Sequence, residues 1–127
     1  MTYLIDTNVF LEILLEQENY EAALSFIRGN KELYMSDFSL HSIGVILLRL
    51  EKPDVFLDFL EDMVTSGYIG IRRLFPEDLP DLIDAVRKYN LDFDDAYQYT
   101  TAKKYALKLV SFDSDFDRVD IERIRPF

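Results

Sequence analysis

Short apolar runs that alternate with amphipathic stretches constrain the fold of this chain more than any other feature. Residues 3–5, 32–35, 68–72 and 108–112 have the length and composition of strands, and stretches with helical spacing of apolar side chains separate them. No two-residue hairpin turn joins two of these runs, so the connections are expected to cross over the sheet. We therefore predict an α/β fold, a three-layer α/β/α sandwich with a mainly parallel central sheet.

Turn and capping residues divide the intervening chain into helices. A helix is predicted directly after the first strand, and Ser36 is placed to cap a later one, while Gly67 ends another. The further predicted helices span about residues 19–28, 37–51, 54–66, 76–89 and 92–106. An alternating segment at residues 120–125 predicts a short edge strand.

The composition is that of one folded domain over residues 1–127, with 49% hydrophobic and 14% aromatic residues. The absence of cysteine excludes thiolate metal ligands, so a metal must be bound by oxygen ligands or by the one histidine, which favours Mg²⁺ or Mn²⁺. No apolar stretch approaches the roughly 20 residues of a membrane span, and the chain begins without the basic segment of a signal peptide. We therefore expect a cytoplasmic protein without membrane association.

The charge of the chain argues against one mode of binding. With 24 acidic and 14 basic residues and a net charge of −10, the chain lacks the excess of positive charge through which proteins generally attract nucleic acid. Most carboxylates are expected to solvate the outer faces of helices. A few that converge without basic partners would repel one another, and a divalent cation between them would relieve that repulsion.

Two aspartates directly follow apolar strands. Asp6 ends the first run and Asp113 follows the fourth. The carboxyl ends of parallel strands lie at one rim of the sheet, where ligands of such folds bind, so we expect both carboxylates there. For Asp6, capping of the next helix is an equally good explanation. In the segment after Asp113, a turn motif explains Asp115, and Asp117 is a candidate auxiliary ligand.

Three aspartates open the predicted helix at 92–106. The helix dipole favours one or two negative charges at this end, which accounts for Asp92 or Asp94, but a third charge adds repulsion. Asp95 begins the helix face that continues through Tyr99 and Ala102 toward the sheet. An inward-facing carboxylate needs a partner, and a cation is a reasonable one.

Three motifs occur in order along the chain: Asp-Thr-Asn at residues 6–8, Asp-Asp-Ala at 94–96 and Val-Ser-Phe-Asp-Ser-Asp-Phe at 110–116. In this α/β context they resemble the PIN domain, the fold of VapC-type toxin ribonucleases, and the resemblance extends over essentially the whole chain. It implies an acidic site that holds one or two Mg²⁺ or Mn²⁺ ions and cleaves single-stranded RNA. The catalytic and metal-binding residues that it implies are Asp6, Asp95 and Asp113. The supporting residues are Asn8, Ser111 and Asp117, to which we add the neighbouring acid Asp94.

One position departs from that family. The family usually has a glutamate in the helix after the second strand, and the corresponding residue here is the uncharged Ser42. The adjacent His41 is more commonly a packed residue, but Asp37, four residues earlier on the same helix face, could orient its ring or approach the metal. We therefore count Asp37, His41 and Ser42 as candidate supporting residues. The loss is expected to weaken a second metal site more than the first.

The resemblance implies a metal-dependent endoribonuclease, the toxin of a toxin-antitoxin pair with an antitoxin protein as partner. Because the glutamate is missing, the alternative is a catalytically weakened PIN-like scaffold that binds RNA or a protein. A phosphatase of the haloacid dehalogenase type fits less well, since it requires a second acid where this chain has Asn8. A receiver domain requires paired acids after its first strand and a lysine after its last, and neither is present.

Two sets of surface residues bear on binding partners. The basic residues that are candidates to guide RNA are Arg49, Arg72, Arg73, Lys103 and Lys104, although ordinary solvation explains each singly. The apolar residues that exceed what one helical stripe needs are Val45, Leu48, Val55, Phe56 and Phe59. This excess predicts an exposed apolar surface on the helices of residues 37–66 and a homodimer that covers it.

Overall fold

The computed structural model describes residues 1–126. Its elements follow the chain in the order β1 (Tyr3–Ile5), α1 (Thr7–Leu14), α2 (Tyr20–Gly29), β2 (Leu33–Ser36), α3 (Asp37–Arg49), α4 (Pro53–Phe59), β3 (Ile69–Arg72), α5 (Leu79–Tyr89), α6 (Phe93–Tyr105), β4 (Lys108–Val110) and β5 (Arg123–Ile124). A π-helical segment, Leu60–Thr65, continues α4, and 3₁₀ turns form at Pro76–Asp78 and Ser114–Arg118.

The five strands form one parallel sheet in the order β3-β2-β1-β4-β5. The chain moves outward from β1 through β2 to β3 and then returns to β4 on the other side of β1. The border between β1 and β4 is therefore a topological switch point, where α/β sheets bind ligands. Ile5 lies opposite Val110 in the register of these two strands, so the residues that follow them emerge side by side.

The alternation of side chains along the strands divides the core into two layers. Leu4 and Leu109 belong to the cluster that includes the buried residues of α5 and α6. Ile5 and Val110 point the other way and join the cluster that includes residues of α1 to α4. All four side chains are fully buried. Helices therefore cover both faces of the sheet, and the predicted three-layer α/β/α architecture is confirmed.

Several predicted boundaries were wrong. The fourth strand ends at Val110 rather than at residue 112, because the backbone N–H of Phe112 donates to the side chain of Asn8 instead of to a neighbouring strand. The helix predicted at 54–66 is α-helical only to Phe59 and then becomes π-helical. The helix predicted from residue 76 begins as a 3₁₀ turn, and the edge strand predicted at 120–125 is limited to Arg123–Ile124.

The predicted apolar surface on α3 and α4 is present only in part. Val45 and Leu48 are 49% and 58% exposed, and Leu57 on α4 is 60% exposed. Phe59 is instead buried, because its ring packs edge-on against Phe10 at 5.4 Å between centroids. Val55 and Phe56 are partly buried against the same core cluster. None of the helices in residues 1–126 has the length and apolar composition that crossing a membrane requires.

Candidate metal centre

The switch point brings two polar strand ends together. The Asp6 backbone N–H donates to the Val110 carbonyl at 2.9 Å, so Asp6 lies beside Ser111. The Asp6 carboxylate is buried and receives three hydrogen bonds. Oδ1 accepts from the Thr7 backbone N–H at 2.8 Å and from Gln98 Nε2 at 2.9 Å, and Oδ2 accepts from the Ser111 hydroxyl at 2.7 Å. Asp6 is therefore the N-cap of α1 and also lines the cleft above the sheet.

Asn8 and Ser111 tie the two strand ends to each other. Asn8 Nδ2 donates to Ser111 Oγ at 3.2 Å, and its Oδ1 accepts from the Phe112 backbone N–H at 3.3 Å. Ser111 Oγ also accepts from the Asp113 backbone N–H at 2.9 Å. Ser111 is fully buried. Its hydroxyl donates to the Asp6 carboxylate and accepts from the Asn8 side chain and from the Asp113 backbone. These two predicted supporting residues thus fix the spacing between Asp6 and Asp113.

Three carboxylates meet at the rim of the sheet. Asp95, Asp113 and Asp115 each have an oxygen within 4.8 Å of the oxygens of the other two. Ligands of a Mg²⁺ ion lie at most about 4.2 Å apart, so small side-chain movements would let all three bind one ion. Asp113 also caps the turn that follows, because its Oδ1 accepts from the Asp115 backbone N–H at 2.8 Å. Asp115 forms an ion pair with Arg118 at 2.8 Å.

The composition of this cluster differs from the predicted trio. Within residues 1–126, Asp6 does not belong to a group of three acids that lie as close as these, and Asp115 does. The turn motif predicted for Asp115 is in fact made by the side chain of Asp113. Asp6 is nevertheless a close neighbour, because its charge raises the pKa of Asp95. Its role as a direct ligand stays a prediction.

Burial and mutual repulsion make the cluster unfavourable without a cation. The pKa of Asp95 is raised to about 7, first by burial and then by the charges of Asp113, Asp6, Asp94 and Asp115. Burial also raises the pKa of Asp6 despite its three hydrogen bonds. Within residues 1–126, no lysine or arginine forms an ion pair with Asp95 or Asp113. Asp115 is paired with Arg118, but Asp95 and Asp113 are hard oxygen ligands without such an ion pair, and this environment fits Mg²⁺ or Mn²⁺.

The metal-free protein is expected to lose stability as the pH rises from about 4 to about 7. The folded-state pKa of Asp95, about 7, lies above the unfolded value of about 3.9. Between these values the unfolded chain is ionised while the folded state retains the proton, so stability is lost as the pH rises through this window. Three other carboxylates have lowered pKa values: Asp78, Asp117 and Asp120. Their contribution to stability has the opposite dependence, because it is lost as the pH falls, and it acts at lower pH.

Thermal melts in EDTA across this pH range provide the measurement. Asp95→Asn should flatten the decline, since the neutral amide has no charge to bury. Asp58→Asn, the same change on the exposed surface of α4, is the control and should leave the decline unchanged. An equal decline in wild type and Asp95→Asn would contradict the expectation.

Not every predicted supporting residue contacts the cluster. Asp117 forms a two-bond ion pair with Arg123, with Oδ1 at 2.8 Å from Nε and Oδ2 at 3.0 Å from Nη2, so it fastens the acidic turn to β5. Asp37 lines the cleft, but its Oδ1 accepts from the Tyr97 hydroxyl at 2.7 Å. It makes no hydrogen bond to His41 within residues 1–126. Because the Asp117 carboxylate is paired with Arg123, the structure offers no support for Asp117 as an auxiliary ligand.

The position of the missing glutamate lies in the same cleft. His41, Ser42 and Asp94 all line this cleft of ≈ 870 Å³ together with Asp6, Asp95 and Asp113. His41 and Asp94 are exposed and Ser42 is half-buried. The predicted supporting residues of α3 and α6 thus line the cleft beside the acidic cluster, but they do not belong to its group of three close carboxylates.

Gln98 is a residue of the site that the sequence reasoning missed. It is buried three positions after Asp95, and its Nε2 donates to Asp6 Oδ1 at 2.9 Å and to Ser39 Oγ at 2.5 Å. Ser39 Oγ also shares a 2.7 Å hydrogen bond with Thr7 Oγ1. Gln98 Oε1 is buried without a hydrogen-bond partner in the described chain. The i+3 spacing to Asp95 was the available signal, because it places a polar side chain on the face that turns toward the sheet.

The basic residues predicted at the rim are mostly engaged elsewhere. Lys104 pairs with Asp78 at 2.6 Å and Lys103 with Asp120 at 3.2 Å. The Arg72 guanidinium lies 4.1 Å above the centre of the Tyr34 ring. Arg73 alone among these five lines the cleft. Of these five candidates, only Arg73 therefore brings a guanidinium to the cleft, while Arg118, outside this set, pairs with Asp115 of the acidic cluster at 2.8 Å.

A parallel sheet that carries a carboxylate cluster at its switch point defines a class of three-layer α/β proteins with an acidic rim. The chain belongs to the PIN domain family, whose model matches residues 3–122. This confirms the family resemblance inferred from the three motifs. No curated protein matches the chain in sequence.

Several solved structures have the same fold. VapC20 of Mycobacterium tuberculosis, described as a sarcin-ricin loop cleaving toxin, has a TM-score of 0.83 and 14% identity over 98% of this chain and 100% of that chain. A toxin-antitoxin complex from Klebsiella pneumoniae gives 0.78 and 16%, covering 99% and 98%. FitAcB from Neisseria gonorrhoeae gives 0.76 and 22%, covering 98% of each chain. At these identities the likeness establishes the fold.

Proposed function

We propose that this chain is a metal-dependent endoribonuclease that hydrolyses single-stranded RNA, and that it is the toxin of a toxin-antitoxin pair. The observation that carries the proposal is the half-buried acidic cluster at the switch point of a PIN fold, which has no ion-pairing lysine or arginine at Asp95 or Asp113 within residues 1–126. The description of VapC20 as a sarcin-ricin loop cleaving toxin supports the same reaction class.

The residues of the site divide into those that would hold the ion and those that would hold the ligands. A bound Mg²⁺ or Mn²⁺ would lower the pKa of a coordinated water and neutralise charge on the phosphoryl oxygens. Asp95, Asp113 and Asp115 would hold it. Asp6 Oδ2 accepts one hydrogen bond and so has a second lone pair, which suits a ligand or an acceptor for a coordinated water. Ser111 would keep Asp6 and Asp113 in register.

A cleavage assay tests the proposal directly. Purified protein should cut an unstructured RNA in Mn²⁺ but not in EDTA, and the products should carry 5′-phosphates if the family mechanism applies. Protein that is stabilised by Mn²⁺ but leaves the RNA intact would favour the second candidate, a PIN-like scaffold that binds RNA or a protein. The observation that favours this candidate is the uncharged Ser42 in the cleft, where the family usually has a glutamate.

Ser42→Glu is expected to tighten metal binding by about tenfold and to raise RNA cleavage, because it adds a carboxylate to the cleft that holds the cluster. Calorimetric titration with Mn²⁺ measures the affinity. Ser42→Gln is the matched control, since it adds the same length without the charge and should leave the affinity near that of wild type. Equal gains from the two substitutions would show that charge at this position is not what the site lacks.

We further propose an antitoxin protein and a second copy of the chain as partners. The exposed side chains of Val45, Leu48 and Leu57 on α3 and α4 provide apolar area for association. The toxin-antitoxin complex from Klebsiella pneumoniae, which has the same fold, supports an antitoxin as partner. A small neighbouring gene whose product copurifies with this chain would support an antitoxin, and sedimentation at high concentration would measure self-association. Cytoplasmic location is part of the same proposal.

A further inference from the structure

An aromatic cluster borders the acidic site and projects into the same cleft. Phe93 is the first residue of α6, two positions before Asp95, and its side chain is 49% exposed. Its ring lies 5.9 Å from that of Phe38 and 6.3 Å from that of Tyr97, and those two rings are 5.3 Å apart. All three residues line the cleft. The exposed part of the Phe93 ring is apolar area beside a charged site, and a ligand that covers it gains the free energy of removing that area from water.

The cluster is held rigidly beneath Phe93. The Tyr97 hydroxyl donates to Asp37 Oδ1 at 2.7 Å and accepts from the Leu74 backbone N–H at 3.0 Å. Both bonds fix the tyrosine ring, which in turn supports one side of Phe93. A ring fixed in this way presents its free surface in one orientation, so little conformational entropy is lost when a planar group stacks on it.

The cleft supplies very little positive charge for a polyanion. Within residues 1–126, Arg73 is the one lysine or arginine that lines it, and its guanidinium lies 4.6 Å from the centre of the Phe75 ring, which is also exposed to the cleft. Arg118 lies at the acidic cluster, but its charge is paired with Asp115 at 2.8 Å. A single guanidinium can contact one or two phosphates. Binding of a single strand must therefore depend on contacts to bases, and aromatic rings make such contacts with any base.

We propose that Phe93 is a stacking platform for one nucleobase of a single-stranded nucleic acid whose neighbouring phosphate lies at the acidic cluster, with Arg73 on a phosphate further along the cleft. This inference rests on the proposed function and specifies how that site recognises its substrate. Duplexes are excluded because their bases are stacked on each other. Recognition through one base and few phosphates predicts selection of unpaired nucleotides with weak dependence on salt.

Binding of a single-stranded RNA that contains 2-aminopurine, in Ca²⁺ and with the RNA shown to remain intact on a gel, tests the proposal. Phe93→Leu keeps an apolar side chain but removes the ring, and it should weaken binding about tenfold and abolish the fluorescence quenching caused by stacking. Phe93→Trp should restore both. Ile83→Ala, another exposed apolar change but on α5 outside the cleft, should alter neither.

The salt dependence provides a second readout. Each phosphate contact on a single strand contributes about −0.7 to the slope of log affinity against log salt, so one or two contacts predict a slope between about −0.7 and −1.4. A slope near −4 would indicate about six contacts and would overturn the proposal. Unchanged RNA affinity in Phe93→Leu, with or without such a slope, would also overturn it and leave the ring cluster as a protein-binding surface.

Failure of this inference is distinguishable from failure of the proposed function. Metal-dependent cleavage that is indifferent to Phe93→Leu would reject the stacking platform alone. Single-strand binding that depends on the Phe93 ring, without cleavage by wild type, would reject the nuclease alone. The melting shift caused by Mn²⁺ should be equal in wild type and Phe93→Leu, which confirms that the acidic cluster is intact in the variant.

Discussion

Millimolar Mn²⁺ is expected to raise the melting temperature of the wild-type protein by several degrees and that of Asp95→Asn by much less. A ligand that binds only the native state adds about 2.7 kcal/mol at a hundred times its Kd. In a domain of this size that free energy corresponds to a shift of several degrees. Asp95 contributes most of the effect, because burial and four neighbouring carboxylates raise its pKa to about 7 and the ion relieves both costs.

The same substitution is expected to lower RNA cleavage by at least about a hundredfold. Loss of a residue that only orients a metal ligand already costs about 10- to 100-fold, so loss of a ligand should cost more. Asp58→Asn is the control for both measurements, since it removes one charge from the exposed surface. A wild-type melt that does not respond to Mn²⁺ would reject the metal centre. Wild-type cleavage that persists in Asp95→Asn would reject Asp95 as a ligand.

Phe116→Ala is expected to lower the free energy of unfolding by about 3–5 kcal/mol, which is a large part of the 5–15 kcal/mol typical of a domain. Phe116 is fully buried and anchors the 3₁₀ turn between the acidic residues Asp113 and Asp117. Its loss leaves a cavity and releases the turn. The stabilisation by Mn²⁺ should therefore fall as well, because Asp113 and Asp115 are no longer held together.

Urea unfolding with and without Mn²⁺ measures both effects. Phe116→Leu retains most of the buried volume and should cost much less stability while keeping the response to the ion. Leu57→Ala, at a position that is 60% exposed, should change stability by no more than about 0.5 kcal/mol. A loss below 1 kcal/mol in Phe116→Ala would mean that the turn is held by other contacts.

The architecture was predictable because its signals are local and repeated. Apolar runs, caps such as Ser36 and the absence of hairpin turns fix strands, helices and crossovers, and the sheet is confirmed as parallel. The ends of elements were less predictable, because they depend on partners distant in the chain. The backbone N–H of Phe112 donates to the side chain of Asn8, which is 104 positions away, instead of extending the strand. No local pattern of residues contains that information.

The same distinction applies to the candidate site. Strand ends and charge repulsion pointed to Asp6, Asp95 and Asp113, and the structure brings all three to one cleft. The exchange of Asp115 for Asp6 in the tightest group depends on side-chain directions within a turn, which spacing does not specify. Gln98 was missed because its neutral amide gives no charge signal, although its contacts to Asp6 and Ser39 join three elements of the fold.

Within residues 1–126, the side chain of Asp6 is hydrogen-bonded and that of Asp95 is not, and this difference determines what sequence variation at each position would mean. Asp6 caps α1, so an inactive descendant would still benefit from an aspartate, or from an asparagine or serine, at this position. Within residues 1–126, Asp95 has no hydrogen bond or ion pair that stabilises its charge. Selection for folding stability alone would therefore favour a neutral residue at this position. Retention of an acid at position 95 among descendants would therefore report selection for binding an ion, whereas retention at position 6 would report much less.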